Sequence, residues 1–246
     1  MRIPIIVSIR GNPKRFNFFY KLMTFSLYRY AKAVVIPSED ASKYYSNKYY
    51  CNNICVIPNW VDIFSANIFH KANTFDGPFI AVGRLVKDKN FLEVIKFATS
   101  LDIRRQLIIV GDGPDRVILE AYAKDKKLNI LFMGSMPHVD VLKLISESSF
   151  LISMSNSECW PNVIMEALAL GTPVIAKDID YGPREMITSE YNGFLVQSTP
   201  SAEDLSLCRK YVNDSNLYSN LSDMARVSSS KWNKENILNM WFSIAT

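Results

Sequence analysis

The stretch 162–170, NVIMEALAL, constrains the fold more than any other part of the chain. It reads as a helix, entered through a Pro-Asn turn and stopped by Gly171, which stands where a left-handed C-cap residue sits. Seven of its nine residues are apolar, leaving only Asn162 at the start and Glu166 in the middle. Such a helix belongs in the interior of a domain, and a carboxylate there is costly unless it meets a partner. Glu158 stands eight positions earlier, in the preceding loop. The N–H groups of the first helical turn point back into that loop and make it a seat for an anion such as phosphate. A phosphate with a carboxylate on either side, each able to accept hydrogen bonds from hydroxyl groups, fits a nucleotide sugar. The competing reading is that Glu166 complements the helix dipole and Glu158 is a solvated loop residue.

The remainder of the chain supplies the cover such a helix needs. Short apolar runs at 3–9, 33–36, 54–57, 79–82, 106–110, 130–133, 150–153, 173–176 and 193–196 read as strands. Between them, 16–31, 38–45, 91–100, 115–124 and 142–146 read as helices, with Ser38 as an N-cap and Pro183 opening a further helix. The tail 202–246 reads as helices anchored by Trp232 and Trp241. This alternation implies parallel sheets covered by helices, an α/β protein. The strand 79–82 runs into Gly83 and then the cations Arg84 and Lys89, placing positive charge at the carboxyl edge of a sheet, where open α/β folds bind ligands. Taken alone, both cations read equally well as surface charges. His138 has no metal-spaced companion and reads as a loop or helix-entrance residue.

Several motifs in linked order carry a resemblance. Glu158-Cys159-Trp160-Pro161-Asn162, the run Glu-Ala-Leu-Ala-Leu-Gly-Thr-Pro-Val-Ile from Glu166, Tyr181-Gly182-Pro183 and Asn192-Gly193-Phe194-Leu195-Val196 resemble the glutamate-x7-glutamate region of retaining glycosyltransferases of the group 1 class, family 4, which have the GT-B fold. The stretch from Gly83 to Asn90 resembles their Gly-Arg-Leu-x-x-x-Lys-Gly loop, with Asn90 in place of the last glycine. Pro58-Asn59-Trp60-Val61-Asp62 looks like the stretch that closes their acceptor-binding domain, with Trp60 replacing a glycine.

The resemblance implies roles residue by residue. Arg84 and Lys89 would contact the donor diphosphate, Glu158 the sugar hydroxyls and Glu166 the ribose. Gly83 and the helix entrance at Trp160, Pro161, Asn162 and Val163 would complete the donor site, with Ser135 and Met136 touching the base through backbone groups. Gly111-Asp112-Gly113-Pro114 would be a structural turn rather than a phosphate cradle. Arg10 falls near an acceptor-side histidine of many relatives, and would steady the leaving phosphate or the acceptor; the competing reading is a solvated loop cation.

Charge is unevenly spread. Arg2, Arg10, Lys14, Arg15, Lys21, Arg29 and Lys32 all precede the first acidic residue, Glu39, so the first 38 residues carry +7 against +4 for the whole chain, and the remainder −3. The same segment holds Phe16, Phe18, Phe19, Tyr20, Phe25, Tyr28 and Tyr30. A basic, aromatic, helical stretch can lie on anionic lipid; the alternative is that the rings pack inward and the cations face water. No nucleic-acid motif accompanies the charge. No apolar run has the length of a membrane-spanning helix, and the early 3–9 run lacks a cleavage site, so we expect a cytoplasmic protein with the inner membrane face as a docking surface. Cys51, Cys55, Cys159 and Cys208 have neither metal-ligand spacing nor disulfide density and read as thiols.

These readings lead us to expect a GT-B architecture, with a complete C-terminal Rossmann-like donor domain over 63–246 and a partial Rossmann-like N-terminal acceptor side over 1–62. A Rossmann-like half needs on the order of 100 residues or more. The missing strands are therefore expected from a partner chain or an upstream stretch. The expected reaction is transfer of a sugar, with retention, from a nucleotide-sugar donor (a UDP-sugar favoured, GDP- or dTDP-sugars next) to a lipid-linked saccharide acceptor. The setting implied by the resemblance is lipopolysaccharide O-antigen or capsule synthesis. No metal is expected, since fixed cations would take that part. The alternative is an inactive nucleotide-sugar-binding remnant, or one subunit of a split transferase.

Overall fold

The computed structural model describes residues 4–49, 53–61 and 74–245. The expected boundary at 62/63, Ile3 of the 3–9 run and Cys51 lie outside the described residues.

Two parallel sheets form. In the first, β1 (Ile6–Ser8), β2 (Ala33–Ile36) and β3 (Ile54–Val56) pair in the order β1-β2-β3, with Val34 opposite Val7 and Ile54. Helices α1 (Phe18–Leu27) and α2 (Glu39–Tyr49) connect them. All four residues of β2 are apolar and all four are buried, as the middle strand of a covered sheet requires. The second sheet has six strands: β4 (Phe79–Val82), β5 (Leu107–Val110), β6 (Ile130–Gly134), β7 (Phe150–Ser153), β8 (Val174–Lys177) and β9 (Gly193–Val196). Their order is β6-β5-β4-β7-β8-β9, all parallel.

That order fixes where a ligand can sit. The chain winds outward from β4 through β5 to β6, then returns to the centre and winds the other way from β7. Loops leaving the carboxyl ends of β4 and β7 therefore diverge, opening a crevice at this switch point. Strand alternation sends Phe79 and Ala81 to one face, among Phe91 and Ile95 of α3 (Phe91–Leu101), and Ile80 to the other, among Ile164 and Leu168 of α6 (Asn162–Ala169). The remaining crossovers are α4 (Arg116–Asp125), α5 (His138–Ser146) and the short α7 (Pro183–Met186).

Helix α6 is where the sequence placed it. Ile164, Met165, Ala167, Leu168 and Ala169 are all buried, and Gly171 takes a left-handed φ of 74° just past its end. Its outer cover is α9 (Ser215–Ser229), which follows α8 (Ala202–Val212). The last helix, α10 (Lys234–Ala245), crosses back as expected: Ile237, Trp241 and Ile244 pack with Val35 and Ile57 of the first sheet. Trp232 is buried, and its carbonyl accepts the Val61 N–H at 3.0 Å, tying the end of the first half to the tail.

Helix α2 runs four residues past the expected 38–45, and two further helices differ from their sequence reading. The single helix expected over 16–31 is two elements, α1 and a 3-10 turn at Tyr28–Tyr30, with another 3-10 turn at Pro13–Arg15 before them. Asn17 accounts for the start, because its side chain accepts the Tyr20 N–H at 2.9 Å and caps the helix there. Helix α5 begins at His138, four residues before the apolar run that announced it, directly after Pro137. His138 is thus a helix-entrance residue.

The two halves meet through polar contacts as well as through α10. Glu185 of α7 reaches the N-terminus of α2, accepting from Glu39 N at 2.7 Å, from Asp40 N at 3.4 Å and from the Ser38 hydroxyl. Ser38 is the expected cap of that helix, its Oγ accepting the Ala41 N–H at 3.0 Å. The loop between β1 and α1 is pinned across the crevice as well. Asn12 donates to Ser157 Oγ at 3.0 Å, Lys14 pairs with Asp180 at 2.5 Å and Arg15 pairs with Asp88.

Candidate active site

Three loops build the crevice. The first leaves β4 at Gly83 and carries Arg84 and, after a 3-10 turn at Lys87–Lys89, Asn90. Asn90 sits in the left-handed region at φ 52°, which explains why the position tolerates asparagine where the resembling loop has glycine: both adopt that conformation at little cost. The Gly111-Asp112-Gly113-Pro114 turn lies directly beneath. Leu85 N–H donates to Asp112 O at 2.9 Å, and a Cβ on Gly111 would stand 1.9 Å from the Gly83 carbonyl oxygen. The turn is structural, shaping the floor on which the Arg84 loop rests.

The second loop leaves β7 and holds Ser157, Glu158, Cys159 and Trp160 before Pro161 opens α6. Glu158 and Lys89 form an ion pair across the crevice, with the carboxylate side chain 13% exposed and the ammonium 27%. Cys159 beside them is buried, and that burial pushes its thiol up to about 12, so it stays protonated at neutral pH. Trp160 packs edge-on against Trp232 with ring centroids 5.8 Å apart, and its indole N–H is buried without a hydrogen-bond partner. Asn162 and Val163 lie at the start of α6, and Asn162 Oδ1 accepts from Asn59 Nδ2 at 2.5 Å.

The third loop follows β6, through Ser135 and Met136. With Gly83, Arg84, Gly111 and Asp112 these residues line a cleft of about 200 Å³. Glu166 lies within α6. Its partner is His138, whose Nε2 lies 3.0 Å from Oε1, and its side chain is 18% exposed. The cost of a carboxylate on an apolar helix is thus offset by a neighbouring ring and partial hydration.

The structure therefore brings Gly83, Arg84, Lys89, Ser135, Met136, Glu158, Trp160, Pro161, Asn162, Val163 and Glu166 to the carboxyl edge of one sheet, around its switch point. Arg84 is exposed, and its side chain makes no hydrogen bond or ion pair among the described residues. Arg10 is engaged rather than free. It donates to Asn59 Oδ1 at 2.5 Å and to Ser8 Oγ at 2.9 Å, and its guanidinium lies 5.8 Å from the Trp241 ring centroid. Crowding there lowers its pKa from the ordinary value through desolvation. Through Asn59 it connects to Asn162 at the α6 entrance.

Asn59, the His138–Glu166 pair and Glu185 escaped the sequence reading. Asn59 stood in the Pro-Asn-Trp-Val-Asp stretch that was read as a boundary. The others depend on loops brought together across the chain.

Two sheets of Rossmann type facing a shared crevice, with a terminal helix that crosses back, make this a GT-B protein. Solved structures bear out the fold. Staphylococcus aureus TarM, a mutant in complex with fondaparinux, alpha-GlcNAc-glycerol and UDP, superposes with a TM-score of 0.85 at 22% identity, covering 99% of this chain and 51% of that one. Anabaena HepE in complex with UDP gives 0.82 at 19%, covering 98% and 71%. The family model for Glycosyl transferases group 1 matches residues 66–227, well over half of the chain, which therefore belongs to that family. Among curated relatives, an uncharacterized glycosyltransferase of Haemophilus influenzae is 27% identical over 217 residues, 86% of this chain and 60% of that protein. The amylovoran biosynthesis glycosyltransferase AmsD of Erwinia amylovora is 29% identical over 229 residues, 88% and 63%. The chain thus spans about 60% of the length of these relatives.

Proposed function

We propose that this chain transfers a sugar from a nucleoside-diphosphate donor to a hydroxyl of a lipid-linked saccharide, with retention of anomeric configuration, in the assembly of a bacterial surface polysaccharide such as O-antigen or capsule. The observation that carries the reading is the convergence of Arg84, the Lys89–Glu158 pair and the α6 N-terminus on one crevice at the sheet's switch point. As the bond to the sugar breaks, negative charge grows on the diphosphate. Arg84, Lys89 and the N–H groups at Asn162 and Val163 meet that charge as preorganised donors, in place of a metal ion. Glu158 holds sugar hydroxyls and Glu166 the ribose. The cleft lined by Ser135 and Met136 suits one ring system, since sites for whole drug-sized ligands run to about 300 Å³ and above; the base goes there. Arg10, held near the α6 entrance, faces the acceptor side.

UDP is the favoured nucleotide, with GDP and dTDP next. Structural neighbours were solved with UDP and UDP-glucose, and relatives carry amylovoran and lipopolysaccharide names. The acceptor and the inner membrane face follow from this setting and from the basic first segment.

Thermal melting of the chain with UDP, GDP and dTDP tests the donor site, because a ligand that binds only the folded state raises stability by mass action, by about 2.7 kcal/mol at a hundredfold excess over Kd. A shift with UDP that survives EDTA is expected. No shift with any of the three nucleotides would refute the donor reading.

A further inference from the structure

Asn59 stands between the two halves with both ends of its amide engaged. Its Oδ1 accepts from the Arg10 guanidinium at 2.5 Å, and its Nδ2 donates at 2.5 Å to Oδ1 of Asn162, the first residue of α6. The backbone on either side is held. Arg10 also donates to the Ile57 carbonyl at 3.4 Å, and the Val61 N–H bonds at 3.0 Å to Trp232, whose ring packs on Trp160. Asn59 is half-buried, whereas Asn162 is exposed at the helix entrance.

The chemistry of these three groups fixes which way each amide faces. A guanidinium donates and never accepts. Asn59 must therefore turn its oxygen to Arg10, which leaves only its N–H2 group for Asn162. Asn162 must then answer with its oxygen. The free end of the Asn162 amide is an N–H2 group, and that nitrogen has no hydrogen-bond partner among the described residues. Each dipole in such a chain polarises the next, so the open end carries the positive sense of the guanidinium to the start of α6. The unpaired N–H groups of the helix gather at the same place. Neither a side-chain cap nor an acidic residue in the first turn competes for them.

We infer that Asn59 is a positioning residue of the donor site: it relays the fixed direction of Arg10 to Asn162, so that the Asn162 N–H2 group, and not its carbonyl, meets the donor's diphosphate. This rests on the donor reading above and deepens it. An amide oxygen in that place would repel a phosphate oxygen. Because Arg10 follows β1 in the first half and Asn162 opens α6 in the second, the relay exists only while the halves are joined, which makes donor affinity depend on their junction.

Asn59→Asp, Asn162→Ala and the double variant test this, by titration calorimetry with UDP and by melting without nucleotide. In Asn59→Asp one carboxylate oxygen still takes Arg10, but the other can only accept. Asn162 then turns its N–H2 group toward position 59 and its carbonyl toward the phosphate. Losing one hydrogen bond to a charged group should weaken UDP binding about tenfold in Asn162→Ala. Asn59→Asp should lose more, about fiftyfold, because a repelling oxygen replaces the donor. The double variant should bind as Asn162→Ala does, since no amide remains to be turned. A fiftyfold loss that persists in the double variant would come from added charge or a disturbed fold, and would overturn the inference. Unchanged binding in Asn162→Ala would overturn it too. Arg10→Gln supplies a second route: glutamine can donate or accept, so the direction is no longer fixed and UDP binding should weaken, yet the change should add nothing to Asn162→Ala. A further loss in that background would mean that Arg10 acts on the nucleotide without the relay. A parent chain that binds no UDP refutes the donor reading and this inference together, whereas a parent that binds, with variants that bind equally well, refutes this inference alone.

Discussion

Replacing Glu185 by alanine should loosen the junction between the two halves. Its carboxylate accepts from Glu39 N, Asp40 N and the Ser38 hydroxyl, so it acts as an anionic cap on α2 from 146 residues away. Losing an N-terminal cap costs about 1 kcal/mol, and losing the favourable charge at the helix dipole adds about 0.5 kcal/mol. Two features of the structure adjust that figure in opposite directions. Glu185 is partly exposed and lies near Glu39 and Asp40, which screens and opposes its charge. Ser38 is fully buried, so water cannot readily replace the lost bond. A net cost of about 1.5 kcal/mol lowers the melting temperature of a chain of this size by about 3–6 °C, measured by scanning calorimetry. Glu185→Gln, which keeps an acceptor and loses the charge, should cost about half as much. A double-mutant cycle with Ser38→Ala decides whether the junction is the cause, with coupling of about 1 kcal/mol expected between the two sites. Additivity within about 0.3 kcal/mol would refute the cap.

Glu166→Ala should remove most of the nucleotide-induced melting shift, whereas Arg84→Ala should lower turnover more than donor binding, because its charge is needed most as the diphosphate departs; parallel melting and transfer assays separate the two. Gly111→Ala should destabilise by about 3 kcal/mol in urea unfolding, since its φ of 127° and the Gly83 carbonyl 1.9 Å from the added Cβ leave the methyl no room. Cys159 and Cys208, whose thiols burial raises to about 12, should resist iodoacetamide at pH 8 in the native chain. A raised folded pKa means the folded state holds its proton longer than the unfolded chain, so this contribution is intact below about pH 9 and is lost as pH rises toward 12; Tyr218, also raised to about 12, adds to the loss. Stability that held constant between pH 9 and 11 would contradict this.

Much of the second sheet was legible because each strand is a self-contained signal. The 79–82, 150–153 and 193–196 runs became β4, β7 and β9 with the bounds read from residue type. The α6 helix was equally plain, since a nearly uncharged run closed by glycine has few other uses. Boundaries set by capping were harder to see. Asn17 competes with Phe16 for the start of α1 through one side-chain bond, and Pro137 starts α5 before its apolar residues begin. At the site, residues inside contiguous motifs were found, while partners were not. Glu166 was known to need a partner, but His138 is 28 positions away and earned its place only through the fold. Glu185 and Asn59 escaped for the same reason: their bonds span 146 and 103 positions. A sequence displays local pattern directly, whereas such pairings exist only after the sheets have formed.

The Lys89–Glu158 pair bears on the order in which a donor is recognised. The ammonium that the proposed mechanism assigns to the diphosphate has a counter-ion of its own in Glu158. An arriving diphosphate must displace that carboxylate, and a partly buried carboxylate that loses its cation is costly to leave unmatched. On the proposed reading, a sugar attached to the diphosphate would offset that cost, because its hydroxyls would offer Glu158 new hydrogen bonds as its cation is taken. A bare nucleotide offers none. The pair would thus work as an internal exchange, in which capture of the phosphate exposes the group that reads the sugar. On that scheme the intact donor would be held more tightly than the nucleotide left after transfer, and the spent product would be expelled as the two side chains find each other again.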